Sequence, residues 1–376
     1  MSSSKQYFPA LTGIRALAAY TVFLTHYNPF AEASWLGLLL REGNSGVTAF
    51  FVLSGFLIAT NYGQRVELTA GWLFNYIRNR FARIYPVYFL VTLATFVVLY
   101  LRPDYDLIGR WAGYTTQDMV LVAGLNFTLT KAFFYPFVFT GIAQGWTLTV
   151  EECFYVLAPL LLIGLARSTK RYGLLAAYGV TLLATGCAIV LLVPHKLGFF
   201  NSFNFMLTYT FFGRCMEFLY GIGLAVFLQR NANQSGRGGF YTWGGIAWIA
   251  ACVVAGTFVN PTPPTPEAYS SGGILFNNFL LPIGIVSLFR GLITEQTWLR
   301  NMLETRLMIL LGKSSYAFYL LHFGIFATLI KRHITDSPIL FFPLMVFLSI
   351  AVYRLLEEPL QQKLRARPKA KALATA

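Results

Sequence analysis

Residues Phe8–Tyr27, FPALTGIRALAAYTVFLTHY, form an apolar run that carries an arginine and a histidine, Arg15 and His26. Eleven positions separate the two. At about 100° per residue that is three turns plus ~20°, so both side chains share one helix face, roughly 16 Å apart along its axis. Ionisable groups inside hydrocarbon are costly and by default mark a functional site. Snorkelling towards headgroups would account for Arg15 alone, and an interhelical hydrogen bond for His26 alone. Their shared face favours a joint role. The run does not read as a cleaved signal peptide, because one lysine precedes it, no small-x-small pattern ends it, and the Arg/His pair interrupts it.

Composition sets the class. Of 376 residues, 56% are hydrophobic and 12% charged, against about a quarter charged in soluble domains. Apolar stretches of the ~20 residues needed to cross the bilayer core fall near 8–29, 44–62, 84–101, 148–166, 174–193, 207–228, 241–259, 271–290, 307–330 and 338–356. The expected fold is an all-α, polytopic bundle of about ten transmembrane helices with both termini on one side. With those termini cytoplasmic, 18 of the 29 Lys and Arg fall in cytoplasmic segments and 7 outside, as the positive-inside rule requires. The net charge of +14 therefore reads as topology and contact with anionic lipid rather than nucleic-acid binding. Cys153, Cys187, Cys215 and Cys252 fall inside expected spans without metal-ligand spacing and read as packing residues, so neither a metal site nor a disulfide is expected.

The whole of 1–376 reads as one transmembrane domain, with a long external loop over 102–147 and a basic cytoplasmic tail over 361–376. The loop suits short surface helices or a lid. Pro261–Pro266 reads as a stiff external turn and Asn231–Gly239 as a flexible internal one.

Span direction sorts the remaining polar residues by depth. His26, Glu151, Glu152, Arg214, Glu217 and His322, from four spans, are expected in the outer half, where polar groups of a bundle face one another or a watery cavity. Arg15, Arg78, Arg80 and Arg83 are expected in the inner half, the last three just before the third span. Arg80 and Arg83 are neighbours if helical, and guanidinium forks suit phosphate, although inner loops collect basic residues for topology alone. Arg214 and Glu217, three apart, equally suit a pair that neutralises itself. The two halves together fit a machine that takes a phosphorylated donor from inside and does acid–base chemistry towards the outside.

Seven blocks then run in order from residue 8 to 359. They are Leu11-Thr-Gly-Ile-Arg-Ala-Leu-Ala with His26; Gly46-Val-Thr-Ala-Phe-Phe-Val-Leu-Ser-Gly-Phe-Leu-Ile; Arg80-Phe-Ala-Arg-Ile-Tyr-Pro-Val-Tyr; Trp146-Thr-Leu-Thr-Val-Glu-Glu-Cys-Phe-Tyr; Arg214-Cys-Met-Glu-Phe-Leu-Tyr-Gly; Gly312-Lys-Ser-Ser-Tyr-Ala-Phe-Tyr-Leu-Leu-His322; and Glu357-Glu-Pro. In this register they resemble the membrane acyltransferase-3 family, bacterial O-acyltransferases of surface polysaccharides. The chain departs from the pattern at Thr48, where the family often has an acidic residue, and at Thr147 and Cys153, where serine and glutamine are commoner. Many relatives also carry an extra-cytoplasmic hydrolase-like domain. Without one, this chain is expected to finish the transfer itself or hand over to a separate protein.

The resemblance implies acyl-CoA, acetyl-CoA first, as cytosolic co-substrate held by Arg15, Arg80 and Arg83. His26 is then the general base, since an imidazole of pKa ~6.5 can take a proton at neutral pH. Glu151 or Glu152 would orient it, His322 is a further catalytic candidate, and Arg214 or a backbone N–H would meet the oxyanion. Glu217, Tyr155 and Ser54 are supporting residues, and an acyl-serine on Ser54 or Ser314 is a variant. Expected partners are a surface polysaccharide, lipid-linked glycan or glycolipid acceptor, membrane lipids and polysaccharide-assembly proteins, in a bacterial plasma (inner) membrane. The alternatives are a small-molecule acceptor such as a macrolide, a non-catalytic partner of a polysaccharide synthase, and a transporter or flippase of a phosphorylated lipid or sugar. The last is disfavoured by the lack of inverted repeats and of Gly/Pro-broken helices at matching positions.

Overall fold

The computed structural model describes residues 6–31, 34–106, 109–231, 236, 238–260 and 270–366. The turn at Pro261–Pro266, most of the 231–239 segment and the tail beyond residue 366 lie outside them. The long helices are α1 (Pro9–His26), α2 (Ser45–Tyr62), α3 (Ala70–Leu101), α4 (Trp146–Arg167), α5 (Arg171–Leu192), α6 (Phe211–Arg230), α7 (Phe240–Val259), α8 (Leu281–Thr294), α9 (Arg306–Leu321), α10 (Ile325–His333) and α11 (Pro338–Val352). Among the described residues there is no strand, only an isolated bridge between Phe134 and Phe199. Helices are what hydrocarbon demands, because each satisfies its own backbone.

Eight stretches are long and apolar enough to cross a membrane, and a ninth is the bent pair α9 and α10. The expected count of about ten thus falls short by the first span. With 18 residues that include Arg15 and His26, α1 is less apolar than the others, although it packs against both α2 and α9. The third span also begins earlier than expected. Thr69 caps α3 by accepting from the Trp72 amide, and the helix then runs 32 residues, so Arg78, Arg80 and Arg83 lie on it and not in a loop.

Without a hydrophobic drive between helices in lipid, small residues that let backbones close in decide the packing. A Cβ on Gly55 would stand 2.1 Å from the Phe218 carbonyl oxygen, and one on Gly221 would stand 2.0 Å from that of Val52, so α2 and α6 touch backbone to backbone. A Cβ on Gly312 would lie 1.8 Å from the Thr12 oxygen, joining α9 to α1 in the same way. From that contact the pair stays in parallel register. Tyr20 meets Phe318 (ring centroids 4.9 Å apart), Phe23 meets His322 (6.3 Å), and His26 stacks on Phe323 (4.3 Å).

One span is broken. Between α9 and α10 the axis turns by 86° at Gly324, whose φ of 103° and ψ of −151° lie in a region essentially restricted to glycine. A broken helix is therefore present where the sequence suggested none. The carbonyls this break leaves unpaired are taken up by the loop over 102–147, through the Gln144 side-chain amide described below. That loop contains the helix Thr116–Phe127, closed at its start by a capping box between Thr115 and Asp118 that holds the Asp118 carboxyl below its usual range. Its start is clasped to α10. Asp104 pairs with Arg102 at 3.0 Å and Arg332 at 2.9 Å, which hold its carboxyl low, and the Tyr105 hydroxyl lies 2.6 Å from His333 Nε2.

Two substitutions test this packing by thermal unfolding of the purified protein. Gly221→Val should cost about 1–3 kcal/mol through overpacking, whereas Gly223→Ala, whose new Cβ meets only Leu175 at 3.7 Å, should leave the melting temperature unchanged. Gly324→Ala has open space for its methyl group, so any loss, expected at about 1–3 kcal/mol, reports backbone strain alone.

Candidate functional site

Three arginines from two helices meet in one cavity. Arg15 of α1 and Arg80 and Arg83 of α3 line a space of about 130 Å³ together with Ser54 of α2, Glu151 and Tyr155 of α4, and Ser315, Tyr316 and Tyr319 of α9. The expected donor residues therefore come together, Arg80 and Arg83 one turn apart on a helix. Each is held differently. Arg83 Nη1 pairs with Glu357 Oε1 at 2.9 Å, and Glu357 is carried by a π-turn, Tyr353–Glu357, of the kind found often at functional sites. Arg80 is cradled by aromatic faces, its guanidinium carbon 5.7 Å from the Tyr62 ring centre and 5.5 Å from that of Tyr155. Arg15 makes no hydrogen bond or ion pair with the described residues.

Glu151 faces this cavity and accepts hydrogen bonds from the Ser54 and Tyr155 hydroxyls. Glu152 points elsewhere and does not line it, and its Oε1 is buried without a partner. This corrects the expected grouping by depth, which placed both glutamates with the histidines. Neither hydrogen-bonds His26 or His322 among the described residues. The physical reason is the start of α4 at Trp146, which carries Glu151 more than a turn into the bundle, level with the arginines.

The histidines do meet each other. His26 is exposed at the end of α1 and stacks on Phe323, and its ring centre is 5.5 Å from that of the fully buried His322. His322 Nδ1 lies 2.9 Å from the Tyr319 carbonyl oxygen. A carbonyl can only accept, so the neutral imidazole donates from Nδ1 and keeps its lone pair on Nε2. That Nε2 is buried and has no partner among the described residues. The turn bearing it is fixed by Gln144, whose Nε2 donates to the carbonyls of Tyr319 (2.7 Å), Leu320 (3.0 Å) and Phe323 (3.2 Å). Gln144 is in turn placed by Lys131, fully buried, whose ammonium donates to the carbonyls of Thr140 (2.7 Å) and Ile142; burial pushes that ammonium well below its usual range.

Tyr319 belongs to both halves. It lines the arginine cavity, its hydroxyl lies 3.1 Å from Thr147 Oγ1, and its ring centre is 5.7 Å from that of His322. From Arg15 to His26 the span is roughly 16 Å along α1, so cavity and histidine pair lie at successive depths with this tyrosine between them.

The other expected residues lie apart. Arg214 and Glu217 form a buried two-pronged pair at 2.7 and 2.6 Å, with Thr48 accepting from Arg214 at 3.2 Å, and neither lines the arginine cavity. The guanidinium expected at the oxyanion is thus occupied by its own helix neighbour. Ser314 is buried and bonds back to Leu311, while its neighbour Ser315 faces the cavity. All four cysteines are free. Sequence reasoning passed over Tyr316, Tyr319, Gln144 and the role of Glu357. Tyr319 was findable, since Ser315, Tyr319 and His322 at i, i+4 and i+7 share one helix face, and Tyr316 lines the cavity as the neighbour of Ser315. Gln144 and Glu357 act across the fold, and no local pattern marks them.

Comparison with known proteins gives a consistent picture. The chain is 24% identical to a Staphylococcus aureus protein named "Putative O-acetyltransferase", over 95% of this chain and 58% of the relative. It is 26% identical to an acyltransferase of Streptomyces mycarofaciens, over 84% of this chain and 78% of the relative. It is 27% identical to a Bacillus subtilis protein named "Putative peptidoglycan O-acetyltransferase", over 85% of this chain and 49% of the relative. The chain thus spans about three-fifths of the length of the Staphylococcus relative. No solved structure matches it. The model of a family described as "Acyltransferase domain" matches residues 8–356, nearly the whole chain, and by that match the chain belongs to the acyltransferase-3 family.

Proposed function

We propose that this chain transfers an acyl group, acetyl first, from cytosolic acyl-CoA to a sugar hydroxyl of a glycan or glycolipid on the far side of a bacterial plasma membrane. The observation that carries the reading is the pairing of His26 with His322, whose Nε2 lone pair has no other use, one tyrosine away from a cavity of three arginines. A guanidinium inside the bundle without a directly paired carboxylate is expensive, and Arg15, which feels Glu357 and Glu151 only at a distance, is in that position, so the cavity favours an anionic ligand. The phosphate-bearing part of acyl-CoA supplies the charge, and its extended arm brings the thioester past Ser54 and Tyr319 towards the histidines.

At the histidine pair, an imidazole Nε2 takes the proton of the sugar hydroxyl while the hydroxyl oxygen attacks the thioester carbonyl. The carbon–sulfur bond then breaks, and the leaving thiolate takes the proton back from the imidazolium. The fixed tautomer suits His322 to the proton transfer, with His26 on the exposed side beside it, facing an incoming acceptor. The name of the Bacillus subtilis relative makes a peptidoglycan sugar the first acceptor class to try.

The test is release of coenzyme A from acetyl-CoA by the protein in nanodiscs, with bacterial membrane glycolipids or peptidoglycan precursors as acceptors. His26→Ala and His322→Ala should each lower kcat by about 10²-fold or more, the usual worth of a positioned acid–base group, with KM for acetyl-CoA little changed. Arg15→Ala and Arg80→Ala should show the reverse, raising KM about tenfold for each lost charge-assisted contact. Wild-type protein that releases no coenzyme A with any acceptor, or histidine variants that turn over normally, would overturn the reading.

A further inference from the structure

The helices α2 and α6, locked together at Gly55 and Gly221, part again towards the end of the bundle where α1 begins. There they open, with the end of α4 and the start of α5, into a second recess of about 330 Å³. Its polar lining is Gln64, Arg171 and Gln229, and its floor includes Ala59, Leu162 and Val226. None of the three polar side chains hydrogen-bonds or ion-pairs with the described residues, so their donors and acceptors are uncommitted. From Ser54 to Gly63 is about 14 Å along α2, and from Glu151 to Ala166 about 22 Å along α4. The recess therefore sits beyond the arginine cavity on the same two helices.

Its two sides differ in polarity. On one side Arg171 stands at the first position of α5, a 22-residue helix whose N-terminal dipole end adds to the guanidinium charge. On the other, α2, α4 and α6 all end, and unpaired carbonyls at helix C-termini favour hydrogen-bond donors. Arg65, Arg167, Lys170 and Arg230 add positive charge at the same helix ends, against Glu67 alone. A ligand that fits both sides carries phosphate at one end and amino or hydroxyl donors at the other.

We propose that this recess binds a phosphorylated nucleoside, the adenosine end of the acyl-CoA donor, with its phosphate on Arg171 and its base and ribose donors on the Gln64 and Gln229 side. The proposal rests on acyl-CoA as donor and adds where the nucleotide docks. The arginine cavity still holds the pantetheine-side phosphate of the donor together with the arm and thioester, and a donor truncated before the nucleotide would lack the recess contacts.

Adenosine 3′,5′-bisphosphate, the nucleotide without the arm, is the probe. It should raise the melting temperature of wild-type protein in phosphatidylcholine nanodiscs and leave those of Arg171→Gln and Gln229→Leu unmoved, with Arg171→Lys in between. In turnover, Arg171→Gln should raise KM for acetyl-CoA about tenfold and leave KM for acetyl-pantetheine unchanged. No shift in the wild type, an equal shift in Arg171→Gln, or equal weakening of both donors overturns the proposal. So does stabilisation of wild type but not Arg171→Gln by added phosphatidylglycerol in place of the nucleotide, which assigns the recess to a lipid phosphate. A nucleotide shift without any acyl transfer would instead reject the acyltransfer reading while keeping the site, and transfer without the shift would do the opposite.

Discussion

The contact between Gly312 and the Thr12 carbonyl sets everything above it. Two parallel helices that touch backbone to backbone at one point and then continue side by side fix the level of every later residue on both. That is why Arg15 of α1 opens on the same cavity as Ser315 and Tyr316, and why the rings of His26 and His322 lie 5.5 Å apart although 296 positions separate them in the chain. A side chain at position 312 would force the two helices apart and would lose the pairing of the histidines along with the cavity.

Charge accounting explains the second layer. Arg83 is neutralised by Glu357 and Arg214 by Glu217, whereas among the described residues neither Arg80 nor Arg15 forms a direct ion pair: Arg80 lies against aromatic faces with Glu152 as its acidic neighbour, and Arg15 feels Glu357 and Glu151 at a distance. Structural arginines in an apolar bundle are closed off by carboxylates, as Arg214 is. The two left open face the same space, and an arrangement so costly in hydrocarbon makes physical sense where an anion arrives to complete it.

Much of this was legible in the residues themselves. The 20° angular offset of Arg15 and His26, the spacing of Arg80 and Arg83, and the i, i+3 relation of Arg214 and Glu217 are all properties of single helices, and each survives in the fold. What the sequence could not carry is relative depth between helices. Glu151 was grouped with the histidines because α4 was entered at the wrong level, and only contacts between chain segments, Ser54 with Glu151 above all, put it beside the arginines. The break at Gly324 escaped for another reason. A lone glycine two residues after a histidine is compatible with an unbroken helix, and the 86° turn depends on Gln144, 180 positions away, taking up the carbonyls that the break exposes.

That break has two arms, and one loop holds both. Gln144 grips the last turn of α9 on one side of Gly324, while Asp104 and Tyr105 grip Arg332 and His333 of α10 on the other. A glycine corner left to itself is a swivel; braced at both ends it becomes a bracket, and the imidazole mounted two residues from its apex inherits that stiffness. The entropy of orienting His322 is thus spent once, when the chain folds, and not again at each encounter with a ligand.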